Sequence, residues 1–488
     1  MQQDRISPSL VAAIVATGLM SFSGVVSETA MNVTFPTLMR ELGIGTSTVQ
    51  WLTTGYLLAL ALVVPLSSFL KRRHTLKALF LAANLLFLGA TVLCALAPHF
   101  SVLLAGRLIQ GAATGIALPL MFNIILGQAP ASRLGLLMGV GSLITAMAPA
   151  VGPVLGGVIV DSYGWRVIFW MLVPVLLLSL GLGVKTVRQP AASGSVAQGT
   201  QQTATHHEGN EPASAAESGA FSMADYALLV VGFSAFIFAT EQAASHGWMS
   251  SVVGGLFGLS ALSLAQFCRR SARSETPLIR LEVFECEAFV FSLAFILLIQ
   301  FCVLSLGYLI PNYSQLVDGQ SARVAGMLLL PGCVVGALMA PFAGRLLDRL
   351  GAPRPVLGGT VVIIVSLALF AVYGLQLTTV LFMGFYTLYA TGQGLAVGNM
   401  MTDGLRQLPA DLSADGNAVL NTLQQLSGAV GTSVAASIVA GTQAHYPQSL
   451  AEGTRHGSQY AFVLLLVLAV LALLSAWRAF SAARARSA

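Results

Sequence analysis

APAVGPVLGG, residues 148 to 157, places Pro149 and Pro153 inside a stretch that otherwise reads as a membrane-crossing helix, beside Gly152, Gly156 and Gly157. In a helix in water a proline costs about 3 kcal/mol and a glycine about 1 kcal/mol. Breakers gathered in one segment therefore ask for a packing reason. Gly152 and Gly156 have the small-xxx-small spacing that lets two helix backbones approach closely. The two prolines remove two backbone hydrogen bonds and open a kink that neighbouring helices tolerate in lipid. The product is a bent, smooth-faced helix. Two readings stand for it: a joint that slides against another helix, or ordinary close packing.

The rest of the chain has the composition of a bilayer protein. Of 488 residues, 56% are hydrophobic and 9% charged, and the mean hydropathy is +0.80. A soluble domain carries about 25% charged residues. A spanning helix needs about 20 mostly apolar residues, and such segments recur at 9–32, 48–70, 77–97, 101–127, 133–160, 166–184, 225–243, 250–268, 288–314, 323–345, 355–373, 378–400, 416–442 and 460–480. The pattern is weakest at 225–243 and 250–268, without which twelve remain. Either even count puts both termini on one side.

Basic residues choose that side. With a cytoplasmic N-terminus, the inner segments hold nineteen Lys and Arg, whereas the outer segments hold four: Arg40, Arg166, Arg323 and Arg455. This positive-inside bias supports every span, because one missed helix would invert all that follow. The formal charge of +5 follows from topology and does not mark nucleic-acid binding. The five cysteines form no CxxC pair, so neither a disulfide framework nor a zinc site is expected. The first apolar run lacks a small-residue cleavage site and is expected to be retained as a helix.

One segment breaks the apolar rhythm. Residues 189–222 are rich in Ala, Ser, Gly and Gln and nearly free of large apolar side chains, the composition of a disordered linker. His206 and His207 within it read as a solvated pair. Short repeats flank this linker: PLSSFLKRRHTLK from Pro65 and PFAGRLLDRLGAPR from Pro341. Aligned on their prolines, Arg73 faces Arg349 and Thr75 faces Gly351. Repeated bundles are how many secondary transporters are built, with substrate bound near mid-membrane where the halves meet.

GRLLDRLGAPR resembles the cytoplasmic loop signature of the major facilitator superfamily, and LLAGRLIQGAATGIALPL, residues 103 to 120, resembles its fourth-span motif. APAVGPVLGG resembles the fifth-span signature of that superfamily's drug:proton antiporters. With fourteen spans, the chain is identified as a member of the fourteen-span drug:proton antiporter family, and WLTTGYLLALALVVPLS from Trp51 is most similar to its lincomycin-type efflux branch. The resemblance implies an all-α polytopic membrane protein with the major facilitator fold. Its expected units are an N-terminal six-helix bundle (1–188), the cytoplasmic linker (189–222), two additional spans (223–270), and a C-terminal six-helix bundle with a cytoplasmic tail (271–488).

It also implies where the work is done. Pro149, Gly152, Pro153, Gly156 and Gly157 would form hinge and seal between the bundles. Gly344, Asp348, Arg349, Gly351 and Arg354 would form a cytoplasmic latch that breaks for inward opening. The first repeat departs from that signature, with Arg72 at the aspartate position and Ser68 and Thr75 at glycine positions. Arg107 would act on a nearby proton-carrying carboxylate or anchor the N-terminal bundle.

Ionisable groups within spans are rare, because each costs at least about 2.5–3.5 kcal/mol to insert. Glu28, in SETAMNVTFP, is the first choice for the proton carrier, since an apolar cavity favours the protonated form of a carboxyl. Many relatives have an aspartate one position earlier, where this chain has Ser27. The alternatives for Glu28 are a structural ion pair or an acid near the outer boundary. Glu241 reads as an interfacial residue near the outer end of its span. A drug cavity should be apolar with a few polar and aromatic groups, and its candidates are Asn32, Trp51, Tyr56, Gln110, Asn312, Tyr313, Tyr386, Tyr389, Asn421 and Gln424. Each is also a residue type that packs or forms an interfacial belt.

The expected function is proton-coupled efflux of amphipathic drugs or toxic compounds across the cytoplasmic membrane, by a monomer, with the proton gradient as energy source and no cofactor or metal. The alternative on the same fold is a proton-coupled importer, or an exporter of a narrow endogenous metabolite. An enzyme or receptor would need a nucleophile or metal constellation, and neither HExxH nor a Walker A pattern occurs.

Overall fold

The computed structural model describes residues 7–128, 130, 134–187, 222–247, 249–274, 277, 280–409 and 412–487. Some side chains inside helices fall outside that description, among them those of Arg72, Pro149, Pro341 and Asp348. The predicted linker, including His206 and His207, lies outside the described residues except for Ser222.

Long apolar runs fold as helices because a backbone in hydrocarbon must satisfy its hydrogen bonds within the segment. In chain order they are α1 (Pro8–Leu42), α2 (Thr46–Leu66), α3 (Leu76–Ala95), α4 (Phe100–Gln128), α5 (Leu134–Tyr163), α6 (Arg166–Thr186), α7 (Met223–His246) and α8 (Ser251–Ser271). After them come α9 (Glu287–Leu316), α10 (Ala322–Met327, continued by Leu330–Leu350), α11 (Pro353–Tyr373), α12 (Thr379–Arg406), α13 (Ser413–His445) and α14 (Leu450–Ser487). No strand occurs among the described residues.

Twelve of these segments are long and apolar enough to cross a membrane; α5 and α13 are not among the twelve. In α13 the reason is chemical, for SADGNAVLNTLQQLSGAVGTS carries too many polar side chains to score as apolar. Helices overrun the predicted spans where polar turns extend them: α1 continues past 32 to Leu42, and α14 starts at Leu450 rather than 460. Caps fix several ends. Ser7 accepts from the Leu10 N–H with Pro8 in the first turn, and α1 stops at Gly43, whose φ of 63° suits a residue without Cβ. Pro65 tightens the end of α2 into a 3-10 turn at Val64–Leu66, since it lacks the N–H of a regular helix.

Helices α1 to α6 pack on one another, chiefly α1 on α5 and α6, α3 on α4 and α6, and α2 on α4. Helices α9 to α14 do the same, with α9 on α13 and α14, α12 on α10 and α11, and α11 on α14. These two groups meet along α5–α10, α2–α13 and α1–α9. The α7–α8 pair stands apart: α8 packs on α7, and α7 lies against both α2 and α13. Large apolar side chains such as Leu177, Leu178, Val372 and Trp477 face outwards, as a lipid-facing surface requires.

Candidate functional site

Arg107 organises the first helical group. It is fully buried on α4 and donates from Nε to Leu52 O at 3.0 Å and from Nη1 to Ser27 Oγ and Gln110 Oε1, both at 2.8 Å. Its guanidinium carbon lies 4.3 Å from the centre of the Tyr56 ring, a cation–π contact. The Tyr56 hydroxyl lies within hydrogen-bond distance of Gly24 O at 3.0 Å and Thr114 Oγ1 at 2.8 Å, and Gln110 Nε2 donates to Thr91 Oγ1 at 2.9 Å. One guanidinium nitrogen, Nη2, has no partner, and no carboxylate pairs with the cation among the described residues. Ser27, a hydroxyl and not an acid, takes one of these bonds.

Glu28, one residue along α1, is the acid nearest this network. Only 6% of it is exposed, and it is close enough to Arg107 for the charges to interact. Among the described residues, no hydrogen bond or ion pair reaches its carboxylate. A buried carboxyl without a fixed partner can take and give a proton without breaking a structural bond.

The seam between the helical groups is tightly packed at one end, here called the sealed end. Gly152 packs on Thr29 and Gly156 on Ala30 of α1, where an added Cβ at Gly156 would stand 2.8 Å from Ala30 O. Gly157 packs on the Ala322 backbone of α10, and Pro153 on Gly326. The motif helix thus turns one smooth face to α1 and another to α10. At its end Asp161 accepts from the N–H groups of Ala322 at 3.1 Å and Arg323 at 2.8 Å. Further ties cross nearby: Thr46 Oγ1 donates to Gln443 Oε1 at 2.8 Å, Thr54 and Ser433 share a hydrogen bond at 3.0 Å, and Gln315 Nε2 donates to Val33 O at 3.0 Å. Pro149's side chain lies outside the description.

The opposite end, here the loop end, carries the turns at 74–75 and 351–352. Gly351 has φ 73° and closes α10 with a bond to Leu347 O at 3.0 Å; an L side chain would be strained there. Arg349 and Arg354 are exposed and make no ion pair among the described residues. Gly344 borders open space, and the Asp348 side chain lies outside the description. In the first repeat, Thr75 replaces a glycine because it caps α3, accepting from the Ala78 N–H at 3.1 Å.

The structure sorts the predicted cavity residues differently from the sequence. Tyr56 and Gln110 are buried in the Arg107 network, where both place their polar atoms on neighbours. Asn32 accepts from Thr53 at 3.0 Å in the seam. Asn312 bonds back to Tyr308 O at 2.8 Å. Tyr313 packs edge-on to Phe382 at 5.2 Å. Tyr386 and Tyr389 stack at 6.2 Å, and Tyr389 reaches Ile299 O. Trp51 rests on Phe238 of α7, ring centres 4.8 Å apart. Only Asn421 and Gln424 sit on a half-exposed stripe, with Asn417, Gln425 and, across from them on α9, Gln300. Gln424 Nε2 donates to Gln300 Oε1 at 3.1 Å, and Asn421 Nδ2 to Asn417 Oδ1 at 3.0 Å. Carboxamides facing hydrocarbon are costly, so this stripe marks the water-accessible side of α13.

Glu241 is the second departure. It is 6% exposed and accepts a hydrogen bond from Gln50 Nε2 of α2, so its carboxyl is enclosed by protein. Helices α2 and α13 close over it, which its place near a span end did not reveal. Sequence reading likewise missed Ser27, Gln300 and Asp161, whose roles depend on partners far along the chain.

Comparison with known proteins now adds to the geometry. The family profile described as Major Facilitator Superfamily matches residues 17–432. The lincomycin resistance protein LmrB of Bacillus subtilis is 33% identical over 487 residues, covering 98% of this chain and 96% of that protein. Its counterpart in Listeria monocytogenes is 34% identical over 97% of this chain and 98% of its own. A multidrug resistance protein B homolog of Mycobacterium tuberculosis is 29% identical over 88% of this chain and 76% of its own. Among solved structures, a bacterial homolog of the human lysosomal transporter Spinster, inward-facing and occupied, superposes with a TM-score of 0.68 at 14% identity, covering 98% of both chains. A D-xylose–proton symporter gives 0.64 at 14% identity, over 96% of this chain and 97% of its own. At such identities the likeness speaks for the fold alone.

Proposed function

The chain belongs to the major facilitator superfamily, and from that premise we propose that it is a proton-coupled exporter of amphipathic, drug-like compounds across the cytoplasmic membrane. It is a multi-pass transporter, not an enzyme. In this reading all fourteen helical segments span the bilayer, α5 and α13 included, with α1–α6 and α9–α14 as the two moving bundles and α7–α8 as the additional pair. The loop end and both termini face the cytoplasm, and a monomer is the working unit. The conformer is then inward-facing: the sealed end is the outer gate, and Arg349 and Arg354, exposed and without an ion pair among the described residues, belong with Gly344, Asp348 and Gly351 to the cytoplasmic latch. The printed names of the relatives point to lincosamides and other antibiotics as the first compounds to try.

The observation that carries the reading is Glu28, a buried carboxyl that makes no hydrogen bond or ion pair among the described residues and lies close enough to the Arg107 cation for the charges to interact. Arg107 holds α1, α2 and α4 together through Ser27, Leu52 and Gln110, and its field acts on the neighbouring acid. Substrate entering the stripe formed by Gln300, Asn421 and Gln424 competes with the proton on Glu28, and Pro149 to Gly157 provide the surface on which the bundles rock. Each pH unit supplies about 1.4 kcal/mol per proton, and 100 mV about 2.3 kcal/mol per charge moved. One proton exchanged for a monovalent cation is electroneutral and gives about tenfold accumulation per pH unit; a neutral substrate uses both terms.

The test uses inside-out vesicles with an imposed proton gradient. Lincosamides, cationic dyes and quaternary ammoniums are added, and proton release is recorded in wild type and in Glu28→Gln. Release in wild type but not in the variant is the expected result. Release in both moves the proton site elsewhere, and no release across the panel removes the support for drug:proton exchange.

A further inference from the structure

The Glu241 cluster joins three parts of the molecule at the sealed end. Glu241 comes from the additional helix α7, Gln50 and Thr54 from α2 in the first bundle, and Ser433 and Tyr308 from α13 and α9 in the second. Gln50, Thr54, Ser433 and Tyr308 are all fully buried. Gln50 Nε2 donates to one carboxylate oxygen of Glu241, Ser433 lies beside the carboxyl while bonded to Thr54, and Ser437 Oγ ties α13 to Thr240 O at 3.2 Å.

The hydrogen-bond accounting does not close for an ionised acid. Among the described residues, Glu241 Oε1, Gln50 Oε1 and the Tyr308 hydroxyl are buried without a hydrogen-bond partner. Among the described residues, Tyr308 is the one titratable side chain that faces the carboxyl, and no cation or second carboxylate faces it from α2, α9 or α13. A buried carboxylate that has only neutral donors, Gln50 and the neighbouring Ser433, and no counter-charge is expensive. A proton on Oε1 removes the charge and supplies a donor to a cluster with spare acceptors. At Glu28 the situation is different, since it has Arg107 beside it and lies outside this cluster.

We propose that Glu241 is a second proton-binding site, belonging to the gate and not to the transport cavity: the sealed end closes over this carboxyl only when it holds a proton taken from the face on which that end opens. The inference rests on the alternating-access reading above. Opening pulls α2 from α13 and so dismantles the cluster, leaving a hydrated Glu241 that ionises and returns its proton to the same face. The proton is bound and released on one side, so transport stoichiometry is unchanged. What changes is the balance between open and sealed, which shifts by up to about tenfold per pH unit for one proton.

Spin labels at Gly45→Cys and Tyr446→Cys, both exposed and flanking the Thr46–Gln443 tie, measure that balance by electron–electron distance in nanodiscs, on a background free of the native cysteines. No substrate or gradient is used, so failure of drug exchange and failure of this inference are read separately. In wild type the short-distance fraction is expected to grow as pH falls from 8 to 5. Glu241→Gln is expected to stay short at every pH, and Glu28→Gln to titrate as wild type does. Glu241→Leu and Glu241→Asp give a second comparison if the glutamine variant does not fold, the first flat with pH and the second titrating. A wild type whose distances ignore pH, or a Glu241→Gln that titrates like wild type, overturns the proposal.

Discussion

Gly326→Ala tests whether close backbone contact keeps the sealed end shut. In the structure an added Cβ at Gly326 overlaps Pro153 O and stands 2.8 Å from its carbonyl carbon. Both are backbone atoms, so no rotamer change relieves the clash, and α5 must move away from α10. Overpacking of this kind costs about 1–3 kcal/mol, and it acts only while the sealed end is closed. The intrinsic helix preference for alanine, about 1 kcal/mol, is present in open and sealed states alike and cancels. At about 1.4 kcal/mol per factor of ten, opening should become about 5- to 150-fold more frequent. The assay is the labelling rate of Thr46→Cys, as the sole cysteine, by a membrane-impermeant maleimide; residue 46 is 4% exposed in the sealed state. Gly358→Ala, on the next helix α11 and bordered by open space, is the control and should leave the rate unchanged. Equal rates in Gly326→Ala and the control would refute the idea that backbone contact holds the gate.

Other expectations follow from single contacts. Asp161→Asn keeps one of the two bonds to the Ala322 and Arg323 N–H groups and loses the charge, a cost of about 1 kcal/mol; Thr46→Cys labelling should rise about fivefold. Arg107→Lys cannot reach Leu52 O, Ser27 and Gln110 from one nitrogen, and the loss of one or two charge-assisted bonds should lower stability by about 2–4 kcal/mol, read in SDS-induced unfolding. Thr75→Ala removes the α3 cap and should cost about 1 kcal/mol, whereas Thr75→Gly should cost only a few tenths, by the same measurement.

Much of the helical architecture was legible because hydrocarbon imposes one rule on every segment: long, apolar and internally bonded. The sequence reading placed α7 and α8 on weak patterns, and both are helices over nearly the predicted bounds. APAVGPVLGG was legible as a contact surface because Gly152, Gly156 and Gly157 leave no side chain to fill the gap, although which face meets α1 and which meets α10 is a tertiary fact. Arg107 stood out as a charge in an apolar run, but its partners did not, since Ser27 and Leu52 O are ordinary groups until the fold brings them to it. The surroundings of the cavity candidates were not legible. Tyr56, Gln110 and Tyr389 have the right chemistry for a binding site and are turned inward to satisfy their own polar atoms. Composition marks which residues can bond a ligand; it does not mark which have already bonded a neighbour.

The seat of α7 has a consequence for traffic between bilayer and protein. Tyr226 donates to Leu62 O at 3.2 Å near one end of the α7–α2 contact, and Trp51 rests on Phe238 towards the other, so the α2–α13 seam is boarded over along its length. The α5–α10 seam has no such cover among the described residues. A compound dissolved in the membrane therefore meets a molecule with one shuttered flank and one bare one. Sideways entry, if the transport cycle uses it, is confined to the flank that bears APAVGPVLGG.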